Sequence, residues 1–175
     1  MTFRKALIRS SIMLVSLGLG SCATNVQHYT DLSAPHVIRP NEPIGSVTVT
    51  LSPSGQKDFA DNAQFSQNAL LTDVDRVLQA KKFFAPNAGK DTLEIQITAI
   101  RVRSTFNAVM WGFMAGSDYV TGDVYLRDSS GKLLNHFSVH AGTALGGIAA
   151  GSMSARWGWI DNKFAQLVAK NLSTT

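Results

Sequence analysis

Hydrophobic and polar positions recur in two different periods along this chain, and the switches between them mark its elements. Val47-Thr48-Val49-Thr50-Leu51 alternates with a period of two, which predicts a strand. Ser52-Pro53-Ser54-Gly55 reads as the turn that ends it. Phe59, Ala63, Leu70, Val74, Val77 and Leu78 then fall at three- and four-residue spacing and predict a helix from about Asn62 to Lys82. Asp61 is placed to cap that helix, and Gln64 to close a capping box. Lys81 and Lys82 suit the negative end of its dipole.

From Thr92 to Val102 the period returns to two, with Leu93, Ile95, Ile97 and Ala99 on one face. A third strand, Tyr119–Arg127, puts Val120, Gly122, Val124 and Leu126 together. Asp128-Ser129-Ser130-Gly131 predicts a short hairpin turn with Gly131 in a left-handed conformation. The strand that follows, Leu133–Ala141, turns Leu133, Phe137, Val139 and Ala141 inward. Ile160, Phe164, Leu167, Val168 and Leu172 form one stripe of a C-terminal helix starting near Ile160. The order β-α-β-β-β-α predicts an α+β fold: a two-layer sandwich with an antiparallel or mixed sheet of about four strands and both helices on one face.

The first residues belong to no such pattern. Arg4, Lys5 and Arg9 precede an apolar run, Ile12–Leu19, and then small residues, which is the layout of an export signal. A spanning helix needs roughly 20 apolar residues, so this run is too short to serve as one. Leu19-Gly20-Ser21-Cys22 resembles the lipobox of bacterial lipoproteins. That resemblance implies removal of residues 1–21 and a diacylglycerol on the Cys22 sulfur. Ala23 stands where an Asp would imply retention in the inner membrane, so the resemblance points to the outer membrane, with the chain facing the periplasm. Cys22 is the only cysteine, which excludes an intramolecular disulfide.

Charge changes meaning once the leader is set aside. The whole chain carries 16 basic and 12 acidic residues. Three of the basic ones lie in the leader, so what remains is nearly neutral and its charges are scattered. A nucleic-acid partner calls for a basic stripe, and none is visible. Residues 22–43 hold Pro35, Pro40 and Pro43 and little periodicity. They read either as an extended tether or, in part, as an edge segment packed along a single domain spanning 44–175.

Further resemblance lies in the C-terminal half. Gly112-Phe113-Met114-Ala115-Gly116-Ser117, Val124-Tyr125-Leu126-Arg127-Asp128, Gly131-Lys132, the glycines from Gly142 to Gly151 and the last helix are similar to a group of uncharacterised bacterial lipoproteins. That group is known only as a domain of unknown function, with an α+β sandwich, and it implies no catalytic or ligand residue.

Local constellations for chemistry are missing. His28 and His36 lie in the tether, and His136 and His140 stand about 13 Å apart on one strand face, too far to share a metal. Asp73 and Asp75 fall on different helix faces, and Asp118 and Asp123 on opposite strand faces. No G-x-S-x-G elbow and no Gly-Lys-Ser/Thr phosphate loop is present. Hence the expectation is a non-enzymatic protein with no cofactor and no metal.

Two charge-free apolar segments remain. One carries Phe106, Met110, Trp111, Phe113 and Met114, and the other runs from Gly142 to Gly151 with Trp157 and Trp159 close behind. The first either caps the core or forms a docking patch, and Trp, Met and Phe are the types enriched in interface centres. The functional expectation is therefore a lipid-anchored interaction module whose partner is an envelope protein, with Phe106, Met110, Trp111, Phe113, Met114 and Trp157 as the partner-binding set. The alternative is a binder of a small apolar ligand or lipid in a pocket beneath the Trp111 segment.

Overall fold

Alternation in the sequence becomes a five-stranded sheet in the computed structural model, which describes residues 24–29, 35–40, 42–86, 88–111, 114, 116–144 and 151–173. Its strands are β1 (Asn25–His28), β2 (Ile44–Leu51), β3 (Asp91–Arg101), β4 (Asp118–Arg127) and β5 (Leu133–Thr143), in the order β1-β5-β4-β3-β2. β2 and β3 run parallel, and the other neighbours are antiparallel, so the sheet is mixed. The helices are α1 (Pro53–Asp61), α2 (Gln67–Ala80), α3 (Thr105–Met110) and α4 (Met153–Leu172). The α+β class stands as expected, with one more strand and two more helices among the described residues. A parallel pair needs a crossover, and α1 and α2 supply it between β2 and β3.

One core lies between sheet and helices. From the sheet come Leu93, Ile95, Ile97, Val120, Val124, Leu126, Phe137 and Val139, and from α2 and α4 come Leu70, Val74, Leu78, Ile160, Phe164 and Val168. Gly122 keeps α4 close: a Cβ there would sit 3.2 Å from Phe164 Cζ and 3.0 Å from Ile97 Cδ1. Ala99 does not take the inward place its spacing predicts. A register shift between Ile97 and Ala99 inserts a residue, so Ile100 turns inward instead. Leu133 is only half-buried, since the pairing also shifts between Leu126 and Arg127. Gly131 adopts the expected left-handed backbone, with φ 84°.

Helix boundaries differ from the pattern for local reasons. Ser52-Pro53 starts a helix instead of closing a turn: the Gly55 amide donates to Ser52 Oγ at 3.1 Å, and Pro53 occupies a first-turn position where no N–H is needed. The single helix expected over 62–82 is broken in two. Asn62 Nδ2 donates to the Asp58 carbonyl at 2.9 Å while its Oδ1 accepts from the Val102 amide, so this side chain ends α1. Asp61 is the last residue of α1, and α2 is capped by Ser66, which accepts from the Ala69 amide at 3.2 Å. α4 begins seven residues before Ile160, behind Ser152 as its cap.

The expected tether is in part an edge segment. Asn25, Val26, Gln27 and His28 pair with His140, Val139, Ser138 and Phe137, covering the edge that β5 would otherwise expose. Further on, Ile38 is 2% exposed, and its amide donates to the Leu172 carbonyl at 2.8 Å.

Candidate functional site

Sheet register gathers one end of the molecule around the connection from β3 to β4. Arg101 pairs with Tyr119, and Asp118 pairs with Thr143, so the β3 exit, β4 entry and β5 exit lie together. A buried ion cluster closes this stem. Asp118 accepts from the Arg103 amide at 2.8 Å, from Arg103 Nε at 3.0 Å and Nη2 at 3.1 Å, and from Arg156 Nη1 at 2.8 Å. Arg156 Nη2 also donates to the Arg103 carbonyl at 2.8 Å, which ties α4 to the stem. Burial on its own would raise the Asp118 carboxyl, but the bonds from both guanidiniums outweigh it and hold the carboxyl below its ordinary value. From the sequence Asp118 is weighed only against Asp123 as a carboxylate pair, and neither arginine is a candidate.

Above the stem the chain is apolar and exposed. Ser104 accepts from the Asn107 amide and starts α3, and Trp111 caps its other end through its amide on the Asn107 carbonyl. Phe106 is 66% exposed, Met110 64%, Trp111 61% and Met114 76%, with Val109 also exposed. Gly116, at φ 87°, turns the chain toward β4 beside the Arg101 guanidinium. A core cap would bury these side chains, and they are not buried. Accordingly Trp111→Ala is expected to change stability by less than about 1 kcal/mol in urea denaturation, against roughly 3–5 kcal/mol for a buried aromatic.

The other expected partner residues divide. Trp157 leaves the patch, since it is 7% exposed with its ring centroid 5.5 Å from that of Phe65. The early start of α4 explains this, because Trp157 falls on the same helical stripe as Ile160 and Phe164. Trp159, two residues on, is 38% exposed. Phe113, Cys22 and the middle of the second apolar segment, 145–150, lie outside the described residues.

Other chemistry-bearing groups are spread out. His136 stacks between Tyr29 and Tyr125, with ring centroids 4.1 and 4.3 Å away. His140 Nδ1 lies 2.8 Å from Thr121 Oγ1, and burial lowers its pKa. Among the described residues no group of three or more His, Cys, Asp or Glu could hold a metal ion. Asp161 on α4 was not expected at all. It is almost fully buried, its Oδ1 has no hydrogen-bond partner among the described residues, and burial followed by repulsion from Asp73 pushes its pKa up to about 7. Two open cavities, of about 420 and 290 Å³, are lined by His36, Glu42, Lys90 and Asp91 and by Asn62, Val102, Ser104 and Trp157 respectively, among others. Neither is lined by a described residue of the segment 106–116, nor by Asp161.

Comparison with solved structures finds a similar fold elsewhere. A dodecamer of a PelC point variant from Paraburkholderia phytofirmans superposes with a TM-score of 0.53 at 12% identity, covering 86% of this chain and 98% of that one. A second PelC dodecamer from the same organism gives 0.48 at 13% identity, over 81% and 94% of the two chains. Likeness at that identity is a likeness of fold. No curated protein matches the chain. The family model described as a domain of unknown function, DUF4410, matches residues 26–147, from β1 to beyond β5, and the chain belongs to that family.

Proposed function

We propose that this protein is a non-enzymatic lipoprotein of the outer membrane, anchored through Cys22, that works in the periplasm as an interaction module for an envelope protein. The observation that carries this reading is the exposed apolar segment on its ion-paired stem. Its side chains face outward while the residues that hold it, Arg103, Asp118 and Arg156, are each at most 5% exposed. An apolar surface mounted on a rigid base is what a binding module needs, and exposed contiguous apolar surface is rare without such a use. The dodecameric state of the PelC neighbours supports a further copy of this chain as one form of the protein partner. An apolar-ligand pocket is less favoured, because the described side chains of the segment line neither cavity.

Changing Cys22→Ala removes the only thiol that could be acylated. The expected result is a precursor that keeps its leader and carries no acyl chain, read by mass spectrometry of the membrane fraction. A variant that is still acylated and still fractionates with the outer membrane overturns the anchor. Crosslinking in intact cells reads the partner. Adducts to an envelope protein or a second copy support the module, and a strictly adduct-free chain counts against it.

A further inference from the structure

The chain enters its first described strand at the end of the sheet that carries the exposed apolar segment. β1 runs antiparallel to β5, with Asn25 opposite His140 and His28 opposite Phe137. The chain therefore enters β1 from the side where β5 ends at Thr143, and Thr143 pairs with Asp118 at the foot of the apolar segment. Cys22 is two residues before Thr24, the first described residue, and two residues of extended chain reach at most about 7 Å. Had β1 run the other way, the anchor would have left from the far end, near the β4–β5 turn.

We propose that Phe106, Val109, Met110, Trp111 and Met114 form a membrane-contact element that inserts into the same leaflet that holds the Cys22 acyl chains. This rests on the lipid anchor proposed above, and it gives these side chains a lipid occupant in place of the protein partner proposed there. The acyl chains keep this end of the sheet against the headgroups, so the exposed surface nearest the bilayer is the apolar one. No charged residue lies between Arg103 and Asp118, so the segment itself carries no charge into the bilayer. Phe, Met and Val suit the acyl boundary, and Trp suits the headgroup level, where its ring is buried and its N–H stays wet. A six-residue helix cannot hold a domain on a membrane by itself; acyl chains do that. What the segment adds is orientation. Two points of attachment on one end stand the sheet upright, with the β4–β5 turn toward the periplasm.

The test uses the mature lipoprotein isolated from membranes and reconstituted in phosphatidylethanolamine–phosphatidylglycerol vesicles carrying brominated phosphatidylcholine, which quenches tryptophan at known depth. Trp157 and Trp159 on α4 provide the internal background. Trp111→Phe keeps the patch apolar and removes only the reporter. The expected result is that shallow bromines quench the wild type and that about half or more of this quenching disappears in Trp111→Phe. Equal quenching of the two proteins, with acyl chains present at Cys22 by mass spectrometry, overturns the membrane contact and leaves the anchor standing. Blocking of Trp111 by a crosslinked protein in place of lipid has the same consequence and returns the segment to protein docking. Absence of acyl chains in the same sample overturns the anchor and this inference with it.

Discussion

Asp118→Ala should cost the fold about 3–5 kcal/mol, the usual effect of removing one partner from a buried ion cluster. Asp118 is fully buried and answers two guanidiniums, themselves 3% and 5% exposed. Without the carboxylate both buried guanidiniums lose the counter-charge that Asp118 supplies, and the Arg103 amide loses its acceptor as well. Asp118→Asn keeps the shape and some hydrogen bonds but not the charge, so it should fall between wild type and Ala. Urea denaturation measures the series. A triple change, Arg103→Met with Asp118→Leu and Arg156→Met, is expected to cost less than Asp118→Ala alone, because paired removal leaves no buried charge behind. If the triple variant is the worse one, the cluster stabilises by its own attraction and the argument from uncompensated charge fails. The sign with pH follows from the lowered carboxyl. Its stabilisation is present above the ordinary carboxylate range and is lost as pH falls through the lower folded value.

That cluster also shows where reading the sequence stops. The partners of Asp118 are 15 and 38 residues away, and no local period joins them. A faint signal did exist, since Arg103 and Asp118 are the charges that bracket the uncharged apolar segment. Arg156 gave none, as an arginine near the start of a helix usually reads as solvated. Leu93, Ile95 and Ile97 of β3 and Val120, Val124 and Leu126 of β4, by contrast, are legible because they alternate with polar residues and one face of the sheet is buried. β1 is illegible for the opposite reason. Its four residues hold a single apolar side chain, Val26, and what makes them a strand is the unpaired edge of β5. Ser52-Pro53 is ambiguous on chemical grounds: the same residues end strands and start helices, and only the crossover to β3 decides between them. The exposed aromatic segment was readable as a segment without charge, yet its exposure was not, because a cap and a docking surface have the same composition.

Stability should fall as pH rises from about 4 to 7, with Asp161 as the cause. The folded carboxyl titrates near 7 against an ordinary value of 3.8. Between those values the folded chain holds a proton that the unfolded chain has released, so each pH unit costs about 1.4 kcal/mol, and the loss levels off above 7. Burial is the larger cause, and Asp73 across the α2–α4 interface is the smaller one. Arg76 does not relieve Asp161, since it is engaged with Asp73 at 2.6 Å. Asp161→Asn removes the charge and keeps the shape, so it should match the wild type near pH 4 and exceed it at pH 8 by up to about 4 kcal/mol. At roughly 2–4 °C per kcal/mol for a domain of this size, the shift in melting temperature is easily read. Comparing the two proteins at each pH cancels the acid loss from Asp118, which both share. An advantage of the same size at pH 4 and pH 8 would mean that the gain comes from packing or hydrogen bonding of the amide, and that Asp161 is ionised in the folded protein throughout.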